Sequence, residues 1–235
     1  MTPQTSEEAK KMKRVPYQEA VGSLLYLAHC TRPDIMYAVN QLGRYNSNAG
    51  TKHWDAVKHL FRYLRGTSTM KLQYKKQGNI ELVGYTDASW ASDLNDRKST
   101  SGYIFMLQGG AVAWCCKRQP TVALSSCEAE YMALAATVQE ASWWRGLLAQ
   151  FGQEKPIEIR CDNQSAISIA KNGGYTPRMK HIDIRHHYIR DALEQNIIKL
   201  IYVSTDEQTA DGLTKSLERI KLERNRTAMG ISTSA

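Results

Sequence analysis

The spacing of apolar residues along this chain changes at Gly66. Before it, residues 17–30 (YQEAVGSLLYLAHC) bring apolar side chains back at helical intervals, until TRPDI interrupts them. Pro33, with Thr31 just ahead, marks the start of a second helix over PDIMYAVNQLGRY. A third helix fits WDAVKHLFRYLRGT, with Ala56, Leu60, Tyr63 and Leu64 near one face and Gly66 at its end. The preceding MTPQTSEEAKKMKR, residues 1–14, is polar and reads as a flexible tail.

After Gly66, apolar and polar residues alternate. MKLQYKK and IELVGYTDAS read as strands, and SGYIFMLQ and AVAWCCKR read as the two arms of a hairpin. SSCEAEYMALAATVQEASWWRGLLAQFG predicts a long helix closed by Gly152. A strand (IEIRCD), a short helix (NQSAISIAKNGG), a further helix (HIDIRHHYIRDALEQN), a strand (IIKLIYVS) and a final helix (TDEQTADGLTKSLERIKLE) complete the pattern. This order predicts an α/β (mixed α+β) layer fold, a mixed sheet covered by helices. A helical segment over 15–70 precedes a sheet domain over 71–217, and 218–235 reads as a C-terminal tail.

Composition adds a partner class. Lys and Arg number 31 against 23 Asp and Glu, a formal net charge of +8, which favours a polyanion such as nucleic acid. The 42% hydrophobic content is that of an ordinary globular domain. No apolar run approaches a membrane span and no signal-peptide pattern opens the chain, so an intracellular protein is expected. The five cysteines include no Cys-x-x-Cys, which argues against a structural zinc site and, with the odd number, against a disulfide framework; a reducing compartment fits.

Four acidic residues occupy special places. Asp87 follows an apolar run and ends a strand, where it is either a turn residue facing water or a group held to bind a cation. Asp162 ends IEIRCD directly before a helix, and sites in open α/β sheets gather beyond the carboxyl ends of strands. In the long helix, Ser125 and Glu128 match a capping box, which gives Glu128 a structural task and leaves Glu130 free. Thr205 and Gln208 suggest a second box, one turn ahead of Asp211. If Asp87, Glu130, Asp162 and Asp211 converge without lysine partners, a cation must sit among them, and oxygen ligands favour magnesium or manganese. Read from the residues alone, the four are equally well unrelated surface acids.

The stretches GYTDASWASDLNDRKSTSGYIF, SSCEAEYMAL, CDNQSAISIAKN, KHIDIRHHYIRD and YVSTDEQTADGLTKSL, in this order, resemble the ribonuclease H domain of copia-type retrotransposon Pol polyproteins. The similarity runs from about residue 15 to 217, with 15–66 resembling the helical segment downstream of the polymerase palm. It implies a ribonuclease H-like five-stranded mixed sheet flanked by helices, plus the N-terminal helical appendage. It also implies metal-dependent hydrolysis of the RNA strand in RNA–DNA hybrids, with two Mg2+ ions for which Mn2+ substitutes. Asp87, Glu130, Asp162 and Asp211 fall on the family's catalytic, metal-holding positions. Expected partners are an RNA–DNA hybrid and the reverse transcriptase part of the same polyprotein, in cytoplasmic virus-like particles or the nucleus.

Arg97, Lys98, Lys117, Arg118, Lys171, Arg178 and Lys180 are candidates for backbone phosphates, and Asn163, Gln164 and Ser165 for 2′-hydroxyls. Two departures stand out. The loop VSTDEQTA lacks the mobile histidine common in ribonucleases H, and His181, His186 and His187 lie on an earlier helix. Gly212 follows Asp211 where copia relatives usually carry a large apolar residue; a glycine inside a helix costs about 1 kcal/mol and removes a core contact. That departure supports the alternative of a decayed or domesticated copy that keeps the fold as a nucleic-acid-binding or assembly module without cutting.

Overall fold

The computed structural model describes residues 2, 3, 5–76, 81–172 and 183–233, with the side chains at 183, 184 and 186 outside that description. Four helices come first: α1 (Ser6–Met12), α2 (Tyr17–Cys30), α3 (Met36–Gly43), preceded by the short turn Pro33–Ile35, and α4 (Thr51–Gly66). Strand β1 (Met70–Leu72) follows, then β2 (Val83–Ser89), β3 (Thr100–Leu107), β4 (Gly110–Arg118), α5 (Ser126–Ala149) and β5 (Ile157–Cys161). Helices α6 (Gln164–Asn172) and α7 (Asp183–Glu194), strand β6 (Ile198–Tyr202), helix α8 (Arg219–Ala228) and strand β7 (Ile231–Thr233) complete the chain.

The main sheet has five strands in the order β4-β3-β2-β5-β6. β2, β3 and β4 are antiparallel, whereas β2–β5 and β5–β6 run parallel. This is the mixed five-stranded sheet with flanking helices that the resemblance implied. Parallel pairing requires crossovers, and α5 supplies the one from β4 to β5. The hairpin between β3 and β4 turns on Gln108 and Gly109, both at positive φ, as a two-residue hairpin turn requires.

Each face of the sheet carries its own core. Tyr131, Leu134 and Val138 of α5 and Ile189 of α7 pack with Phe105, Ile159 and Leu200 on one side. On the other, Val21, Leu24, Ile35, Met36, Val39 and Val57 of the helical segment pack with Ile104, Ala111, Leu213 and Met229. Each such side chain fully buried contributes about 1.5–3 kcal/mol. The helical segment therefore packs on one face of the sheet, over β3 and β4.

Three terminal expectations need correction. The residues expected as a flexible N-terminal tail include α1, capped by Thr5 and docked through Glu8, whose Oε1 accepts from Thr51 N and Oγ1 at 3.1 and 2.8 Å. The expected last helix is broken into two short 3-10 turns, Thr205–Glu207 and Thr209–Leu213, before α8 begins at Arg219. The region expected as a C-terminal tail forms α8 and β7, and β7 pairs antiparallel with β1 in a separate two-stranded sheet. Met12 is buried in α1, and Asn225 and Met229 are buried at the C-terminal end, so these segments fold by burying side chains on the core.

Candidate active site

Parallel pairing of β2 with β5 sets Thr86 opposite Cys161, so the next residues, Asp87 and Asp162, stand side by side. Asp162 lies just beyond β5, whereas Asp87 lies within β2 and not at its end as expected, since Ala88 and Ser89 still pair with β3. Asp87 is almost fully buried, which rules out the turn residue facing water. Helix α5 crosses β2 beside this point. Thr137 Oγ1 donates to Thr86 Oγ1 at 2.8 Å, and Glu130 lies two helical turns earlier on the same side of α5. There it takes a backbone hydrogen bond from Ala88, while its Oε2 is buried with no hydrogen-bond partner among the described residues. Glu128 behaves as a cap: its N–H donates to Ser125 Oγ at 3.1 Å and its Oε2 accepts from Leu124 N–H at 2.8 Å, one residue upstream of the expected box partner.

Asp211 arrives from the turn Thr209–Leu213. The second capping box does not form. Gln208 Nε2 donates instead to Thr86 O at 2.9 Å, tying the turn to β2, and Thr205 Oγ1 donates to Asp162 Oδ2 at 2.8 Å. The turn also lies hard against β3 at Gly102, the residue paired with Asp87; a Cβ there would sit 2.7 Å from Thr214 and 2.9 Å from Leu213. As a result, carboxylate oxygens of Asp87, Asp162 and Asp211 lie within 4.8 Å of one another, and Glu130, Asp162 and the Cys161 thiol form an overlapping group.

The expectation that no lysine joins these acids is overturned. Lys215 Nζ lies 2.7 Å from Asp211 Oδ1 and 3.8 Å from Asp87 Oδ2, and Lys221 Nζ lies 2.8 Å from Asp211 Oδ2. Thr214 Oγ1 donates to Asp87 in a short hydrogen bond. Four acids meet two ammonium groups, so negative charge remains in excess. Burial is the main cause that raises the Asp87 carboxyl above its ordinary range, opposed by Lys215 and assisted by Asp211. Burial also raises Glu130, followed by the charges of Asp87 and Asp162. Burial works against the Lys215 ammonium, yet Asp87 and Asp211 beside it hold its pKa above the ordinary value.

The donor set fits a hard divalent cation: aspartate oxygens from three elements within one ion's reach, and a buried, unsatisfied Glu130 oxygen beside them. Gly212 also reads differently in three dimensions. It lies in a 3-10 turn, and the space of its absent side chain is filled by Asn225 and Met229, so no core contact is missing.

Among the expected phosphate-binding residues, Arg118 is committed elsewhere. It pairs with Asp93 at 3.1 Å and with Asp96, and Arg44, just after α3, also pairs with the buried Asp93; together they hold the loop after β2. Lys117 is exposed at the end of β4, near a groove of about 470 Å³ that Arg118, Gln139 and Arg185 also line. Arg97 is exposed and Lys98 half-buried on the loop. Gln164 and Ser165 are exposed at the start of α6, and Asn163 Oδ1 accepts from Ala166 N–H at 2.9 Å as a cap. Lys171 is exposed at the end of α6, His187 is exposed on α7, and Arg178, Lys180 and His181 lie outside the described residues, as does the side chain of His186. Lys215, Lys221 and Thr214 were missed by sequence reasoning, and Thr205 was read only as a cap; of the lysines, only Lys215, four residues beyond Asp211, had a legible spacing.

No family model matches the chain. The Pol polyprotein of transposon TNT 1-94 from Nicotiana tabacum is 45% identical over 232 residues, 98% of this chain and 17% of that protein. Close homologues that match nearly the whole of this chain are thus retrovirus-related Pol polyproteins of copia-type transposons. The chain spans only 17% of the length of the Nicotiana tabacum Pol polyprotein. A foamy viral protease-reverse transcriptase solved with double-stranded DNA aligns over 86% of this chain and 35% of that one, with TM-score 0.51 and 15% identity, a likeness of fold alone. A ribonuclease H1 in complex with an RNA/DNA hybrid aligns over 57% of this chain and 94% of that one, at TM-score 0.45 and 14% identity. The chain itself carries a mixed five-stranded sheet flanked by helices, with its acids gathered at one end of the sheet.

Proposed function

We propose that this Pol segment is a metal-dependent endonuclease that hydrolyses the RNA strand of RNA–DNA hybrids, working beside the reverse transcriptase part of its polyprotein. The observation that carries the reading is the convergence of Asp87, Asp162 and Asp211, with the unsatisfied Glu130 oxygen beside them, at the carboxyl ends of β2 and β5. Asp87, Glu130, Asp162 and Asp211 would hold Mg2+ or Mn2+, which supplies an activated water and stabilises the leaving oxygen. Thr205 and Thr214 orient Asp162 and Asp87 through their hydroxyls, as groups behind metal ligands commonly do. Lys215 and Lys221 balance part of the negative charge at Asp211. Lys117 at the end of β4 and Arg97 and Lys98 on the loop after β2 present cations for the phosphate backbones. Gln164 and Ser165 present polar groups beside Asp162 for ribose hydroxyls, which distinguish RNA from DNA.

The test is cleavage of end-labelled RNA–DNA hybrid, double-stranded DNA and single-stranded RNA by the purified protein in Mg2+ or Mn2+. Cutting of the hybrid's RNA strand alone, abolished by chelation, is expected. Folded protein that binds the hybrid and leaves it intact with either metal would favour a binding module that has lost catalysis.

A further inference from the structure

We propose that Asn225 of α8 is a positioning residue for Asp211, acting through the space left open at Gly212; its role in activity rests on the metal-dependent reading above. Asp211 lies on a five-residue 3-10 turn, unlike Asp87 and Glu130, which lie within a strand and a long helix, and a single turn does little to fix its own side chains. The turn needs an outside support, and α8 is packed against it.

Asn225 is buried at 7% exposure. Its Nδ2 donates to Thr209 O at 3.0 Å and lies 3.5 Å from Gln208 O, so one amide satisfies the carbonyls that open the turn. Its Oδ1 occupies the place a Cβ at 212 would take, and that Cβ would also lie 3.2 Å from both Asn225 Cγ and Met229 Cε. Positions 212 and 225 therefore share one space. One turn earlier on α8, Lys221 reaches Asp211 Oδ2.

The helix is itself anchored at a distance. Arg226 Nη1 donates to Tyr63 OH at 3.2 Å, and Tyr63 OH donates to Asp34 Oδ2 at 2.7 Å. Asp34 is held by Arg32 through bonds of 2.8 and 2.7 Å. Beyond the helix, Ala111 N–H of β4 donates to Met229 O at 3.1 Å. A continuous set of polar contacts thus runs from the N-terminal helices through α8 and Asn225 to the turn that presents Asp211. Groups that orient metal ligands typically change metal affinity 10- to 100-fold when removed, about the range expected here.

The experiment is a double-mutant cycle in the full chain with Gly212→Ala, Asn225→Ala and the pair, read by Mg2+ calorimetry and by hydrogen exchange of residues 209–215. Each single change should weaken Mg2+ binding about tenfold or more. It should also speed exchange across 209–215 while leaving β2 and β5 protected. With Asn225→Ala already present, Gly212→Ala should cost little more, because its methyl then enters vacated space. In cleavage, kcat should fall while KM for the hybrid stays within about twofold, as for a group that supports the metal site and not substrate binding. Exchange and Mg2+ affinity unchanged in Asn225→Ala, or additive effects in the pair, would overturn the inference. If the parent binds no Mg2+, the metal-dependent reading fails by itself, and the exchange pattern still decides whether Asn225 holds the turn. If Asn225→Ala does not fold, Gly212→Ala decides: local loosening of 209–215 supports the inference, and an unchanged turn overturns it.

Discussion

Asp87 and Asp162 reach the site by a different physical route from Asp211. The first two directly follow the paired residues Thr86 and Cys161 of adjacent parallel strands, so strand spacing and register bring them together. Glu130 joins them because a regular helix places it two turns from Thr137, which bonds to β2. Asp211 sits on a short turn supported by the bond from Gln208 to Thr86 of β2, by the close pass at Gly102, and by α8 from a later part of the chain. Acids on regular elements are positioned by the rules of those elements. An acid on a turn is positioned by whatever packs around it, and the distributed support makes it the more easily disturbed half of the site.

The largest effect should come from the regular half. Glu130→Gln is expected to lower hybrid cleavage by well over 100-fold, beyond the usual cost of losing a group behind a metal ligand. It should leave the metal-free protein as stable as the parent or more so, because burial already disfavours the charged form. Assays of cleavage and metal-free melting check both. Cleavage within tenfold of the parent would remove Glu130 from the site and leave the acids of the two strands and the turn alone in it.

A pH series sharpens the comparison next. Asp87 and Glu130 have raised pKa values in the fold, so in the metal-free protein the native state holds more protons than the unfolded chain above the ordinary carboxylate range. Their contribution to stability is greatest at low pH and falls as pH rises through their raised native pKa values. Metal-free melting temperature should therefore drop from pH 5 toward pH 8 more in the parent than in Glu130→Gln, and Mg2+ should recover it at pH 8. Equal slopes in the two proteins would contradict the assignment of burial as the cause.

Asp87 and Glu130 were legible in the sequence because strand patterning and helix capping are local properties, although Asp87 lies within its strand and not at its end. The capping argument separated Glu128 from Glu130 on the same grounds, and Ser125 does cap α5. The turn was not legible. TDEQTADGLTKSLERIKLE has the composition of a helix, but Gln208 and Thr205 bond across to Thr86 and Asp162, and Asn225 fills the space at Gly212, none of which is a local property. For the same reason Lys221 could not be anticipated, and the C-terminal residues that form α8 and β7 resembled a tail. The helical segment was legible as helices, but its role as a cover for the sheet depends on pairing with Ile104, Leu213 and Met229, far away in the chain.

The smallest effect should be that of the neighbouring glutamate. Glu128→Ala removes a cap that holds Leu124 N–H and should lower stability by about 0.5–2 kcal/mol in denaturant melts, with cleavage largely kept. Cleavage lost in Glu128→Ala and kept in Glu130→Gln would reverse the roles of the pair.

The claim that the gathered carboxylates form one divalent-cation site is tested most directly by thermal melts of the parent and Asp87→Asn at pH 8, with and without Mg2+. Asp87 is buried among other acids with its carboxyl pushed toward the neutral form, so an amide there should melt at or above the parent without metal. The parent should gain stability on adding Mg2+, by the linkage between binding and folding, and Asp87→Asn should gain little or none. A variant that melts below the parent without metal, yet is stabilised by Mg2+ to the same degree, would show Asp87 to be a structural residue and contradict the account.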